Sequence, residues 1–173
     1  TFLIDIFNEV HKKNPNSLLL LVGQGPLKEE IENKVKELKL NDSVRFLGQR
    51  NDANELYQAF DVFCLPSLYE GLPVVGVEAQ ASGLLCIFSD AMTKETKVLE
   101  TTEFISLNND PKKWANIITE KNEYFKRINC NKKILDNGFD IKNEIYKLEE
   151  YYREKSLETI IHVVNSKIFS GLE

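Results

Sequence analysis

An α/β fold is predicted, specifically a doubly wound, Rossmann-like parallel sheet with a helical C-terminal extension. Three observations lead to it. Short apolar runs alternate with helical patterns from Thr1 to about Leu107. Three of the runs are closed by glycine or proline, at Gly23, Gly48 and Pro66. From Pro111 onward the pattern is helical only.

The elements follow in order. Thr1 to Lys13 reads as an amphipathic helix, with Phe2, Leu3, Ile6, Phe7 and Val10 on one face. Ser17 to Val22 reads as a buried strand ended by Gly23. Pro26 is placed to open the next helix, which is expected to run to about Leu40. Val44 to Leu47 is a strand closed by Gly48, Asn54 to Phe60 a short helix, and Asp61 to Leu65 a strand stopped by Pro66. Pro73 to Ser82 is a helix with Gly83 at its C-terminal end. Leu85 to Phe88 and Phe104 to Leu107 are strands. Lys112 to Lys121 and Ile141 to Tyr152 are helices, and Leu157 to Phe169 reads as a docking helix or a tail. Units of this kind ordinarily open with a strand, so a strand and its loop are expected upstream of Thr1. The expected division is a domain over 1–155 and a tail over 156–173.

The 173 residues fit one domain, and a hydrophobic fraction of 42% supplies a core. A net charge of -5 argues against nucleic acid as a partner, because phosphate-backbone binding needs a basic face. Cys64 and Cys86 lie in apolar runs and read as buried thiols, and the wide spacing of Cys64, Cys86 and Cys130 favours a reducing, cytoplasmic setting. No apolar run is long enough to span a bilayer. His11 and His162 stand apart from acids and nucleophiles, and no His, Cys and Asp spacing suggests a metal site. The charged run Lys28 to Lys39 reads as a solvated helix face.

Chemistry concentrates in Pro66 to Ala79. Glu70 stands just before the Gly71-Leu72-Pro73 that opens a helix, and Glu78 is the only charged residue in that apolar helix. An apolar helix is expected to be buried, where a carboxylate is costly unless something binds it. Helix N-termini offer unpaired N–H groups to anions, so Gly71, Leu72, Val74 and Val75 are candidates to hold a diphosphate, Pro73 having no N–H. Glu78 can accept hydrogen bonds from a ribose diol, and Glu70 can contact a sugar. The loop follows a strand end, where open α/β sheets bind ligands. Gly23-Gln24-Gly25-Pro26 is a second glycine loop, equally readable as a simple tight turn.

Val22-Gly23-Gln24-Gly25-Pro26-Leu27, Val44-Arg45-Phe46-Leu47-Gly48, Ala59-Phe60-Asp61-Val62-Phe63, and Pro66-Ser67 through Glu70-Gly71-Leu72-Pro73 to Glu78-Ala79 occur in this order. The chain thereby resembles the C-terminal, donor-binding domain of family 4 glycosyltransferases of the GT-B fold, of the capsular and exopolysaccharide type. The last segment matches the Glu-x7-Glu pattern of retaining glycosyltransferases. The resemblance implies a bacterial enzyme that transfers a sugar from a nucleotide-sugar, most often a UDP-sugar, with retention and without a metal or other cofactor. It implies that Glu70 contacts the donor sugar at the reacting centre and that Glu78 binds the ribose. It implies that Gly71, Leu72, Pro73 and Val74 hold the diphosphate and sugar. Gly23, Gln24 and Gly25 would border the nucleotide, and Phe46, Leu47 and Gly48 the base. The acceptor, a saccharide or lipid-linked saccharide, would sit on an N-terminal domain absent from this sequence, placing the whole enzyme at the inner face of the membrane. The isolated fragment is expected to be inactive.

The sequence departs from the family pattern at Gly83-Leu84-Leu85-Cys86 and at Met92-Thr93-Lys94-Glu95, and it lacks the basic element that neutralises the diphosphate. A nucleotide-binding or interaction module without transfer activity is the alternative, and the presence of both Glu70 and Glu78 weighs against it. The histidine and arginine constellations of GT-B epimerases and the pyridoxal lysine site of phosphorylases are not seen.

Overall fold

A computed structural model describes Thr1 to Lys155, so His162 and the segment Leu157 to Phe169 lie outside the described residues. The chain divides into two compact units, Thr1–Lys133 and the residues from Ile134 onward.

The first unit contains two parallel sheets. One pairs β1 (Leu19–Val22) with β2 (Val44–Gly48); the other has the order β3 (Val62–Leu65), β4 (Leu85–Ser89), β5 (Glu103–Ile105). Registers run Leu19↔Val44, Val62↔Leu85 and Ile87↔Glu103. The helices are α1 (Phe2–Lys13), α2 (Lys28–Glu37), α3 (Ala53–Ala59), α4 (Val74–Ala81) and α5 (Pro111–Tyr124).

β4 shows why this sheet is covered on both faces. All five of its residues are buried. Side chains of a strand alternate between faces. Leu85 and Ile87 join Ile6 of α1 and Trp114 and Ile118 of α5 in one core. Cys86 and Phe88 join Tyr57 of α3, Ala79 of α4, Leu84 and Met92 in another. On that second face Tyr57, Phe63, Phe88 and Phe104 form a chain of edge-on ring contacts. α1 also bridges to the smaller sheet: Ile4 and Phe7 pack with Val35, Leu40 and Val44.

Local chemistry sets the ends of the elements. Asp110 caps α5 by accepting from Lys113 N at 2.7 Å, with Pro111 in the first turn. Gly83 follows α4 at φ +73°, a conformation that favours glycine. α2 differs from the expectation at both ends. Pro26 is not its first residue, because the helix opens at Lys28 after Leu27, and Lys39 turns left-handed at φ 57°. Its charged face is solvated as expected, and it carries the ion pairs Lys28–Glu32 and Lys34–Asp5. Arg127 donates to Tyr57 O, Phe60 O, Ser82 O and Gln58 Oε1, tying the C-terminal ends of α3 and α4 together. His11 lies between the hydroxyls of Ser17 and Ser43 at the start of the β1–β2 sheet.

α6 (Asn131–Asp136) falls on the boundary between the units, and sequence periodicity did not reveal it. The second unit contains α7 (Ile141–Glu154), whose Asp140 cap accepts from Lys142 N at 3.2 Å. Among the described residues no helix is long and apolar enough to cross a membrane.

Candidate functional site

The chain leaves β3 at Pro66 and enters α4 at Val74 through the loop that carries Glu70. Two serines shape that loop. Ser89 Oγ, buried at the end of β4, donates to Ser67 O, and Ser67 Oγ donates to Glu70 Oε1 at 3.0 Å. Glu70 is thus held half-buried at the carboxyl end of the larger sheet.

α4 begins without a side-chain cap. Its first intrahelical hydrogen bonds are those of Gly76 N and Val77 N to Pro73 O, at 2.9 and 3.3 Å. The amides of Val74 and Val75 stand ahead of them, in a first turn that carries no acidic residue. Such a turn presents N–H groups and the positive end of the helix dipole. Beside it Gly71 has no atom within 4 Å of the position a Cβ would take, so its backbone is open to close approach.

The helix is not buried all round, contrary to the expectation from its apolar composition. Its inner face is Gly76, Val77, Ala79 and Gln80, while Val74 is 65% exposed, Val75 45%, and Glu78 is exposed as well. The small residues explain the difference. A Cβ on Gly76 would lie 3.1 Å from Phe88 Cζ, so the helix sits close against β4 with one narrow face and leaves the other open. Glu78 is therefore a solvent-accessible carboxylate on the open face.

Tyr57 holds that carboxylate: its hydroxyl lies 3.1 Å from Glu78 Oε2 and 3.4 Å from Val75 O. Burial, and after it the hydrogen bond and charge of Glu78, raise the Tyr57 pKa well above its ordinary value, so the hydroxyl keeps its proton. Nothing in the sequence pattern marked Tyr57 as more than an apolar residue of a short helix. Gln80 also escaped sequence reasoning. Fully buried, it donates to Gly76 O and Thr96 O and accepts from Val98 N, Leu99 N and Thr102 Oγ1. It ties α4 to the loop after β4, where Thr93 caps a single 3₁₀ turn, Lys94 Nζ lies 3.6 Å over the Phe104 ring, and Glu95 is exposed.

The second glycine loop lies at the end of the smaller sheet. Gly23 N donates to Gly48 O at 2.8 Å, with Gly23 at φ 125° and Gly48 at φ 65°. Gly23, Gln24 and Gly25 are thereby brought beside Phe46, Leu47 and Gly48. Among the described residues no hydrogen bond joins this group to the Glu70–Glu78 group. Nor, among them, does any group of three or more His, Cys, Asp or Glu side chains stand where it could hold a metal ion.

The fold is that of the carboxyl-terminal domain of the GT-B class of glycosyltransferases. The structure of Anabaena Alr3699/HepE in complex with UDP superposes at a TM-score of 0.71 and 21% identity, covering 86% of this chain and 44% of that one. Residues 1–127 match the family of glycosyl transferases group 1, and the chain belongs to it. Among its relatives, EpsF of Bacillus subtilis, described as a glycosyltransferase, is 43% identical over 118 residues. The UDP-Gal:alpha-D-GlcNAc-diphosphoundecaprenol alpha-1,3-galactosyltransferase of Escherichia coli is 34% identical over 144 residues. The alignments cover 68% and 80% of this chain but only 31% and 37% of those relatives, so the chain spans about a third of their length.

Proposed function

We propose that the chain is the donor-binding half of a retaining glycosyltransferase that moves a sugar from a nucleotide-sugar, a UDP-sugar, to a saccharide or lipid-linked saccharide in polysaccharide biosynthesis. The observation that carries this reading is the uncapped, exposed N-terminus of α4, with Glu70 before it and Glu78 one turn beyond its free amides. In the proposed site the amides of Gly71, Leu72, Val74 and Val75 take the diphosphate, and Pro73 fixes the start of the helix. As the sugar–phosphate bond breaks, charge grows on the leaving diphosphate, and preorganised N–H groups stabilise it without a metal ion. Glu78 takes the ribose hydroxyls, and Glu70 contacts the donor sugar near its anomeric carbon. Gly23 to Gly25 and Phe46 to Gly48 border the nucleotide and its base. A place in polysaccharide biosynthesis is supported by the capsular polysaccharide biosynthesis glycosyltransferase CapH of Staphylococcus aureus, 27% identical over 161 residues, and a lipid-linked acceptor by the diphosphoundecaprenol named for the Escherichia coli enzyme. A lipid-linked acceptor would bring the enzyme to the membrane surface.

Calorimetry with UDP, GDP and ADP tests the donor site on the protein at its full natural length, repeated with EDTA present. UDP is expected to bind most tightly with or without the chelator, and absence of nucleotide binding overturns the reading. Glu70→Gln is expected to lower transfer at least about a hundredfold while UDP affinity stays within a few-fold. Unchanged transfer would make Glu70 a structural residue. NMR of the anomeric product tests retention directly.

A further inference from the structure

We propose that Tyr57 is a positioning residue for donor recognition: it fixes the Glu78 carboxylate so that a ribose diol meets an oriented acceptor, and it thereby sets the preference for ribonucleotides over 2′-deoxyribonucleotides. This rests on the donor reading above and deepens it.

Three features of the structure carry the inference. First, the two ends of the Tyr57–Glu78 contact differ in freedom. Tyr57 is only 5% exposed, whereas Glu78 is exposed. A long, solvated carboxylate samples several rotamers and loses that freedom when it binds a ligand. An anchored donor removes part of that loss in advance. Second, Tyr57 has little room to move. Phe60 and Phe63 contact its ring edge-on at 6.1 and 5.9 Å between centroids, and its carbonyl accepts from Arg127 at 3.1 Å. Third, the hydrogen bond uses only Glu78 Oε2, and Oε1 has no protein partner among the described residues. A carboxylate has about four lone-pair sites. With one taken by Tyr57, a vicinal diol can still donate one hydroxyl to Oε1 and the other to the remaining site on Oε2.

The alternative role for Tyr57 is to satisfy its own buried hydroxyl, and the ligand separates the two. Dissociation constants for UDP and 2′-deoxy-UDP are measured on the full natural-length protein and its Tyr57→Phe variant, with melting temperatures as a control for folding. The wild type is expected to prefer UDP. Tyr57→Phe is expected to weaken UDP about fivefold, the cost of ordering one freed carboxylate side chain on binding, and to leave 2′-deoxy-UDP within about twofold. In turnover the donor KM rises by a similar factor while kcat at saturating donor is unchanged. Glu78→Ala is expected to abolish the preference, and adding Tyr57→Phe to it should change nothing further. Equal weakening of both nucleotides, or no weakening of either, overturns the role of Tyr57 while leaving the donor site standing. A wild type that binds UDP without preferring it over the deoxy form overturns both the Glu78 assignment and this proposal. A wild type that binds no nucleotide overturns the donor reading itself.

Discussion

Thr102 Oγ1 donates to Gln80 Oε1 at 2.8 Å in a site where both side chains are buried. The same oxygen accepts from Val98 N and Leu99 N, and Gln80 Nε2 donates to Gly76 O and Thr96 O. One side chain thus satisfies three donors and two acceptors that have no access to water. Gln80→Leu roughly keeps the volume and strands the three donors and Thr96 O, while Gly76 O keeps its helical bond. Leaving a buried polar group unpaired costs about 1–3 kcal/mol, so this variant is expected to lose at least about 3 kcal/mol, read as a lower urea midpoint. A loss below about 1 kcal/mol would show that the loop from Lys94 to Thr102 does not depend on Gln80.

Gly83 is constrained twice. It lies at φ +73°, and a Cβ there would come 2.3 Å from Ile128 O and 3.1 Å from Arg127 Cγ. The first contact is with backbone, which cannot swing away as a side-chain tip can. Gly83→Ala is therefore expected to destabilise by more than the ~1 kcal/mol that left-handed backbone alone costs a non-glycine residue. It should also disturb Arg127, which bonds the carbonyls of Tyr57, Phe60 and Ser82. Thermal denaturation of Gly83→Ala beside Arg127→Lys, which lacks the guanidinium fork, would show whether the two losses overlap.

The fold was legible because it rests on periodicity. The runs at Leu19–Val22, Val44–Gly48, Val62–Leu65 and Leu85–Ser89 are apolar, short and punctuated, and each became a strand. Glu70 and Glu78 stand out in the sequence for a similar reason, as charges in an apolar segment, and the structure places one before α4 and the other on its open face. Burial of α4 was misjudged because apolar composition does not say which face meets the sheet. Gly76 and Ala79 decide that by allowing close approach to β4, and they leave Val74, Val75 and Glu78 outside. Pro26 was misplaced because a proline that fits a first helical turn fits the preceding turn equally well. Tyr57 and Gln80 were missed because their roles depend on partners 21 and 22 positions away, and no local pattern encodes such contacts.

The thiols provide a pH test of the core. Burial raises the Cys64 pKa from 9.0 to about 12, and it raises that of Cys86 further, with a smaller contribution from Cys130. In the unfolded chain these thiols ionise near their ordinary value. Between about pH 9 and 12 the unfolded state therefore loses protons that the folded state keeps. The stability contributed by a raised thiol pKa is complete below that window and falls as pH rises through it. Urea midpoints are expected to decline above pH 9, and less steeply in Cys64→Ser if that variant folds. At pH 8, iodoacetamide should modify the buried Cys86 only after denaturant is added; rapid labelling of Cys86 in the folded protein would contradict its burial.

Gly71 separates the needs of folding from those of binding. No positive φ and no atom within 4 Å of a would-be Cβ require glycine there. Gly71→Ala should accordingly leave stability unchanged or raise it by up to about 1 kcal/mol, through a less flexible unfolded chain. What the fold does not need, an approaching ligand would: in the proposed donor site a methyl group at Gly71 takes up open space that the diphosphate would use. Gly71→Ala is expected to weaken UDP binding by about tenfold or more, since each lost charge-assisted hydrogen bond is worth roughly 1.5–3 kcal/mol. Gly25→Ala is a control on the second glycine loop. Its Cβ also meets nothing within 4 Å and its φ is ordinary, and no diphosphate amide is assigned to it. It should leave UDP binding within about threefold, because bordering a nucleotide demands less than hydrogen-bonding its charge. A Gly71→Ala protein that is stable and binds UDP as the wild type does would remove the diphosphate from the N-terminus of α4.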